Sequence, residues 1–96
     1  MTGTETEIVE RPEQNRFELA FEGGIAFASF RRDGDRLVVT HTEVPARFNG
    51  RGIGSRLAQG LFDNARRTGR KIVPACSFIA DWARRHPDYQ DVLAAR

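Results

Sequence analysis

Arg47-Phe48-Asn49-Gly50-Arg51-Gly52-Ile53-Gly54-Ser55 joins a β-branched segment, residues 37–44, to a long amphipathic one that begins at Ile53 and stops at Gly69. A strand running into a helix through a glycine-rich turn is a phosphate-binding junction. Glycines at alternate positions let the backbone take φ > 0 and approach a ligand closely, and the following helix offers unpaired N–H groups and a positive dipole end to an anion. Arg47, Arg51 and Arg56 add charge where a phosphate would lie. A turn that merely connects strand to helix is the simpler reading, but it gives the three arginines no part.

Two familiar phosphate loops are excluded by residue type and spacing. A nucleoside-triphosphate loop requires Lys and then Ser or Thr directly after its last glycine, whereas Gly54 is followed by Ser55 and Arg56. The dinucleotide fingerprint requires G-x-G-x-x-G and an acidic residue about 20 positions on. Here the glycines run G-x-G-x-G, and the corresponding region, Arg70-Lys71-Ile72-Val73, is basic.

On the C-terminal side, Ile53, Leu57, Ala58, Leu61, Phe62 and Ala65 repeat as one buried helical face, with Gln59, Asp63, Arg66 and Arg67 turned outward. Ile72-Val73 is a short strand reached by a strand-helix-strand crossover, which predicts a right-handed connection and parallel pairing. Ser77 can cap a last helix with Phe78, Ile79, Trp82 and Ala83 as its buried stripe; His86-Pro87 ends it, and a short terminal helix follows over residues 88–93.

On the N-terminal side, Arg16-Phe17-Glu18-Leu19-Ala20-Phe21-Glu22 alternates apolar and polar, Gly23-Gly24 signals a hairpin, and Ile25-Ala26-Phe27-Ala28-Ser29-Phe30 is the partner strand. Arg32-Asp33-Gly34-Asp35 turns the chain into a third strand at residues 36–44, which Pro45 ends. Residues 1–14, rich in Thr and Glu without periodicity, read as a mobile tail ahead of a single domain at residues 15–96. The order β-β-β-α-β-α predicts an α/β fold: a mixed sheet of antiparallel meander plus one parallel strand, with helices packed on it. Ligands of open sheets lie at strand C-termini beside helix N-termini, so the loop, residues 41–44 and Cys76 are expected around one cleft.

The loop matches R-x-x-G-x-G through Arg47, Gly50 and Gly52, and in this it resembles the acyl-coenzyme A pyrophosphate loop of the GNAT superfamily of N-acetyltransferases. The resemblance extends to Val39-Thr40-His41-Thr42-Glu43-Val44-Pro45 before the loop. After it come Ile72-Val73-Pro74-Ala75-Cys76-Ser77-Phe78 and His86-Pro87-Asp88-Tyr89. Over residues 15–93 the chain is similar to the small single-domain YjdJ-like subgroup. The resemblance implies a minimal GNAT fold and an acetyltransferase that uses acetyl-coenzyme A, without metal, on an amine acceptor. It implies cofactor binding through Arg47, Asn49, Gly50, Arg51, Gly52, Ile53, Gly54 and Ser55. Pantetheine would lie along Thr42 to Val44, with a backbone N–H such as that of Val44 on the thioester oxygen. Larger members place a helical segment before the meander to shape the acceptor site. The short polar tail expected here offers none, so an open acceptor side could admit a protein amine, or a homodimer partner could complete the pocket.

Three residues are the main candidates for the chemistry. Cys76 precedes a helix, where dipole and N–H groups favour thiolate, so it could accept the acetyl group as a nucleophile; equally, an unpaired Cys could be a small hydrophobe lining the acceptor pocket. His41 suits general-base work on an ammonium group, or is a hydrogen-bonded structural histidine on a polar sheet face. It is expected to share a face with Val39 and Glu43, and Glu43 could orient it, attract a cationic acceptor, or simply be a solvated carboxylate. His86 reads as a helix cap, and Tyr89 as core, pocket wall or a proton donor to the leaving thiolate.

Composition sets the frame for these readings. Ninety-six residues make one domain, 40% hydrophobic and 29% charged, with one cysteine and no apolar run near 18 residues. A cytoplasmic protein is expected. Residues 1–46 carry 9 acidic and 5 basic side chains, whereas residues 47–71 carry 7 basic ones and only Asp63. The positive charge therefore sits on the loop and its helix, as a multiply phosphorylated small ligand would require. A coenzyme A-binding module without transferase activity is the principal alternative. Nucleic-acid binding comes third, because aromatic residues other than Phe48 and Phe62 are not interleaved with the arginines.

Overall fold

In a computed structural model, which describes residues 8–21, 24–46 and 52–94, the apolar alternation of the first half builds an antiparallel meander. Strands β2 (Arg16–Phe21), β3 (Gly24–Asp33) and β4 (Arg36–Glu43) pair in chain order, with Phe21 opposite Gly24 and Asp33 opposite Arg36. Gly24 already belongs to β3. Helix α1 (Ile53–Thr68) crosses back to β5 (Lys71–Pro74), which pairs parallel with β4. The sheet is mixed, as the crossover predicted. Helix α2 (Ser77–Arg85) and a 3-10 segment, Pro87–Val92, complete the chain. Among the described residues, no helix is long and apolar enough to cross a membrane.

The core lies on one face of the sheet. Phe17, Leu19, Ala26, Ala28, Phe30, Leu37 and Val39 meet Ile53, Leu57, Ala58, Leu61, Phe62 and Ala65, the stripe expected of α1. Ile79, Trp82 and Ala83 of α2 close the same core, and Trp82 and Tyr89 pack on Phe62 with ring centroids 5.2 and 5.7 Å from it. Phe78 departs from its expected place in the stripe. It is 40% exposed, because it turns towards the N-terminus of α1 instead of the core.

The expected tail at residues 1–14 is corrected over its second half. Ile8–Arg11 form an edge strand, β1, antiparallel to β2, and a 3-10 turn, Pro12–Gln14, links the two. Residues 1–7 lie outside the described residues. Ile8 packs on the core. Glu10 receives two bonds from Arg70, at 3.1 and 2.9 Å, and Arg70 also bonds the Asn64 side chain of α1 at 2.8 Å. A strand too short to be periodic is thus held by a charge pair formed 60 residues away.

Those bonds to Arg70, against the smaller effect of burial, hold the Glu10 carboxyl below its ordinary value of 4.5. The pair's contribution is therefore complete at neutral pH and is lost as the pH falls through and below that value. Glu10→Gln should cost roughly 1–3 kcal/mol at neutral pH. Thermal melts of the two proteins should converge as the pH falls well below 4.5; a gap that stays constant into acid overturns this account.

Candidate functional site

Helix α1 begins at Gly52, whose φ of 76° and ψ of 10° lie in the left-handed region. Glycine takes that conformation without steric cost, and it carries no side chain to cap the helix. Among the described residues no side chain caps α1 and no acidic residue sits in its first turn, so the positive dipole end meets no neutralising charge from them. They border a cleft of about 450 Å³ lined by Thr42, Val44, Gly52, Ile53, Gly54, Ser55 and one side of α2. Arg47, Asn49, Gly50 and Arg51 lie outside the described residues.

The opposite wall of the cleft arises because β4 and β5 part company. Their pairing covers only Arg36 to Val39 against Lys71 to Pro74. Proline has no N–H to continue a ladder, and a bulge follows at once: Ser29 pairs with His41 but Phe30 with Val39, leaving Thr40 extra. The bulge also reverses the phase of β4. Val39 faces the core, and after the bulge Thr42 is the residue on that side, opposite buried Ala28.

This phase change corrects the expectation that His41 shares a face with Val39 and stands around the cleft. His41 and Glu43 lie on the other face of the sheet, with side chains 59% and 60% exposed, and are bonded to each other at 3.1 Å. Thr42 and Val44 line the cleft. Cys76 lies beside it, its Sγ 3.6 Å from Thr42 Oγ1.

Helix α2 supplies the third wall and the residues least visible in sequence. The ring of Phe78 lies on Gly54, where an added Cβ would come within 2.9 Å of its Cζ. The Trp82 indole N–H donates to Ser55 Oγ at 2.9 Å. Asp81, Arg85 and His86 also line the cleft. Residues 78, 81, 82 and 85 share one helical stripe, and that spacing was the available signal. It reads equally well as core, which is why Phe78 was misplaced.

Residues 16–92 match the GCN5-related N-acetyl-transferase family. The chain belongs to this family. A GCN5-like protein from Staphylococcus aureus, solved by NMR and named as a candidate N-acetyltransferase, superposes with a TM-score of 0.71 at 27% identity. The alignment covers 94% of this chain and 89% of that one. By family, the protein is an acetyltransferase.

Within this acetyltransferase, Cys76, not Ser77, occupies the N-cap of α2. Burial pushes its thiol up, but bonds from the Ile79 backbone, the Thr42 side chain and the Phe78 backbone outweigh burial and leave it below the ordinary value of 9.0. Tyr89 is committed elsewhere. Its hydroxyl donates to Asp63 Oδ1 at 2.6 Å, and burial followed by that carboxylate pushes it up to about 12. It does not line the cleft, which removes it as a proton donor there.

Two outcomes follow for the acetyltransferase. Ser55→Ala leaves the buried indole N–H of Trp82 unpaired and should cost about 1–3 kcal/mol by denaturant titration, a cost that disappears in a Trp82→Phe background. Alkylation of Cys76 should show a midpoint below that of an ordinary thiol, and Thr42→Val should raise it; an unchanged midpoint would remove Thr42 from the account.

Proposed function

We propose that the protein moves an acetyl group from acetyl-coenzyme A to an amine. The observation that carries this reading is the first turn of α1, which has no side-chain cap among the described residues and opens on a cleft whose other wall is the stretch of β4 beyond its pairing with β5. A pyrophosphate suits an uncapped helix N-terminus in a segment with seven basic residues and one acidic one. An amide-bearing pantetheine arm suits a strand edge released from its neighbour.

In this proposal Gly52, Ile53, Gly54 and Ser55, with Arg47, Asn49, Gly50 and Arg51 of the preceding loop, bind the pyrophosphate. Thr42 and Val44 line the arm, and the Val44 N–H donates to the thioester oxygen, where negative charge develops. Bound there, acetyl-coenzyme A supplies an activated acyl carbonyl. The amine approaches from the other face of the sheet, where His41, oriented by Glu43, takes its proton. The same reading makes the protein a cytoplasmic member of the small single-domain YjdJ-like subgroup.

The lowered thiol of Cys76 favours a second route to the same product. Its thiolate attacks the acyl carbonyl, the bond to coenzyme A sulfur breaks, and the amine then displaces Sγ and restores the thiol. Acetylated protein, seen by mass spectrometry in the absence of acceptor and lost in Cys76→Ala, would identify this route. Its absence would leave direct transfer, with Cys76 as lining.

Calorimetry should give micromolar binding of acetyl-coenzyme A, abolished in Arg51→Glu. With an amine acceptor present, His41→Ala should slow thiol release by about 10²-fold or more. Binding without turnover on any amine would turn the reading into a coenzyme A-binding module. No binding would overturn it and direct attention to nucleic acid.

A further inference from the structure

The cleft continues along α2 beyond the part that acetyl transfer uses. Its lining runs from Thr42 and Val44, past Phe78 and Trp82, to Arg85 and His86 at the C-terminal end of α2. Phe78 lies on Gly54 and Trp82 bonds Ser55, so these two residues mark where the N-terminus of α1 abuts α2. Arg85 stands three residues further on, about 4.5 Å along the axis at ~1.5 Å per residue.

Charge and geometry at that end favour an anion. Arg84 and Arg85 share the carboxylate of Asp81, so the three groups keep a net positive charge. The side chain of Arg85 is 72% exposed and its guanidinium is not confined to that pair. His86 is held in place: its Nδ1 donates to the Trp82 carbonyl at 2.7 Å, and its ring stacks on the indole at 3.8 Å and 15°. A carbonyl only accepts, so the proton belongs to Nδ1, and Nε2 has no partner among the described residues. In this position His86 covers the Trp82 carbonyl, one of the helix-end acceptors that would repel an anion.

We propose that Arg85 and His86 form a second anion subsite, which binds a phosphate monoester one sugar away from the pyrophosphate: the 3′-phosphate of coenzyme A. This rests on the coenzyme A reading above. The ribose that bears the 3′-phosphate is esterified directly to the pyrophosphate, so a ligand seated on the first turn of α1 presents its monoester about one helical turn along α2. A guanidinium matches a phosphate through two parallel N–H bonds, and a proton shared between His86 Nε2 and a further phosphate oxygen adds another.

Calorimetry with acetyl-coenzyme A and with its 3′-dephospho form tests the subsite. The unaltered protein should bind the former about tenfold or more tightly. Arg85→Ala should lose most of that preference while its affinity for the dephospho form stays within about twofold. His86→Gln should lose part of it, and Arg84→Ala, whose residue is absent from the cleft lining, should keep it. Equal binding of the two ligands by the unaltered protein overturns the subsite and leaves the coenzyme A reading standing, as does an Arg84→Ala loss as large as that of Arg85→Ala. Binding of neither ligand overturns both.

Discussion

Strand β4 pairs with β5 over only four residues, and the candidate site depends on that limit. Pro74 cannot donate to the next rung, and the Thr40 bulge turns the following residues of β4 to the opposite phase. The sheet is therefore closed where Leu37 and Val39 bury against Ile72, and parted where Thr42 and Val44 reach the cleft. Had the ladder continued, its hydrogen bonds would have taken the strand edge that an extended ligand needs.

The bulge also divides the candidate residues between two faces. Thr42 looks towards the helices, whereas His41 and Glu43, its neighbours in sequence, look away from them. A donor and an acceptor that must meet without sharing a pocket can be held on opposite sides of such a strand. Alternation alone produces this separation once the phase is set.

The open end of α1 carries a local cost. A left-handed glycine at the N-cap supplies no side chain to the amides that Ser, Asp or Asn would have satisfied. Burial elsewhere offsets the loss. Six residues of α1 are packed in the core, and the Ser55 and Trp82 bond ties the same first turn to α2. The helix can thus forgo a side-chain cap at one end while its position stays fixed, as the proposed anion binding demands.

Much of this was legible in sequence, because it is local. The stripe from Ile53 to Ala65, the three strands of the meander and the start of α1 after Gly52 follow from periodicity and backbone sterics, and each holds in the fold. What sequence could not determine required a partner distant along the chain. Strand β1 has too few residues to show a period and depends on Arg70; Phe78 left its expected stripe because Gly54 offered it a surface; His41 left the cleft because one extra residue opposite β3 shifted the phase of β4. Local composition determines which elements form. Which face each side chain takes, and which charges meet, was decided by tertiary packing, since a bulge or a pairing across 60 residues has no signature in the residues beside it.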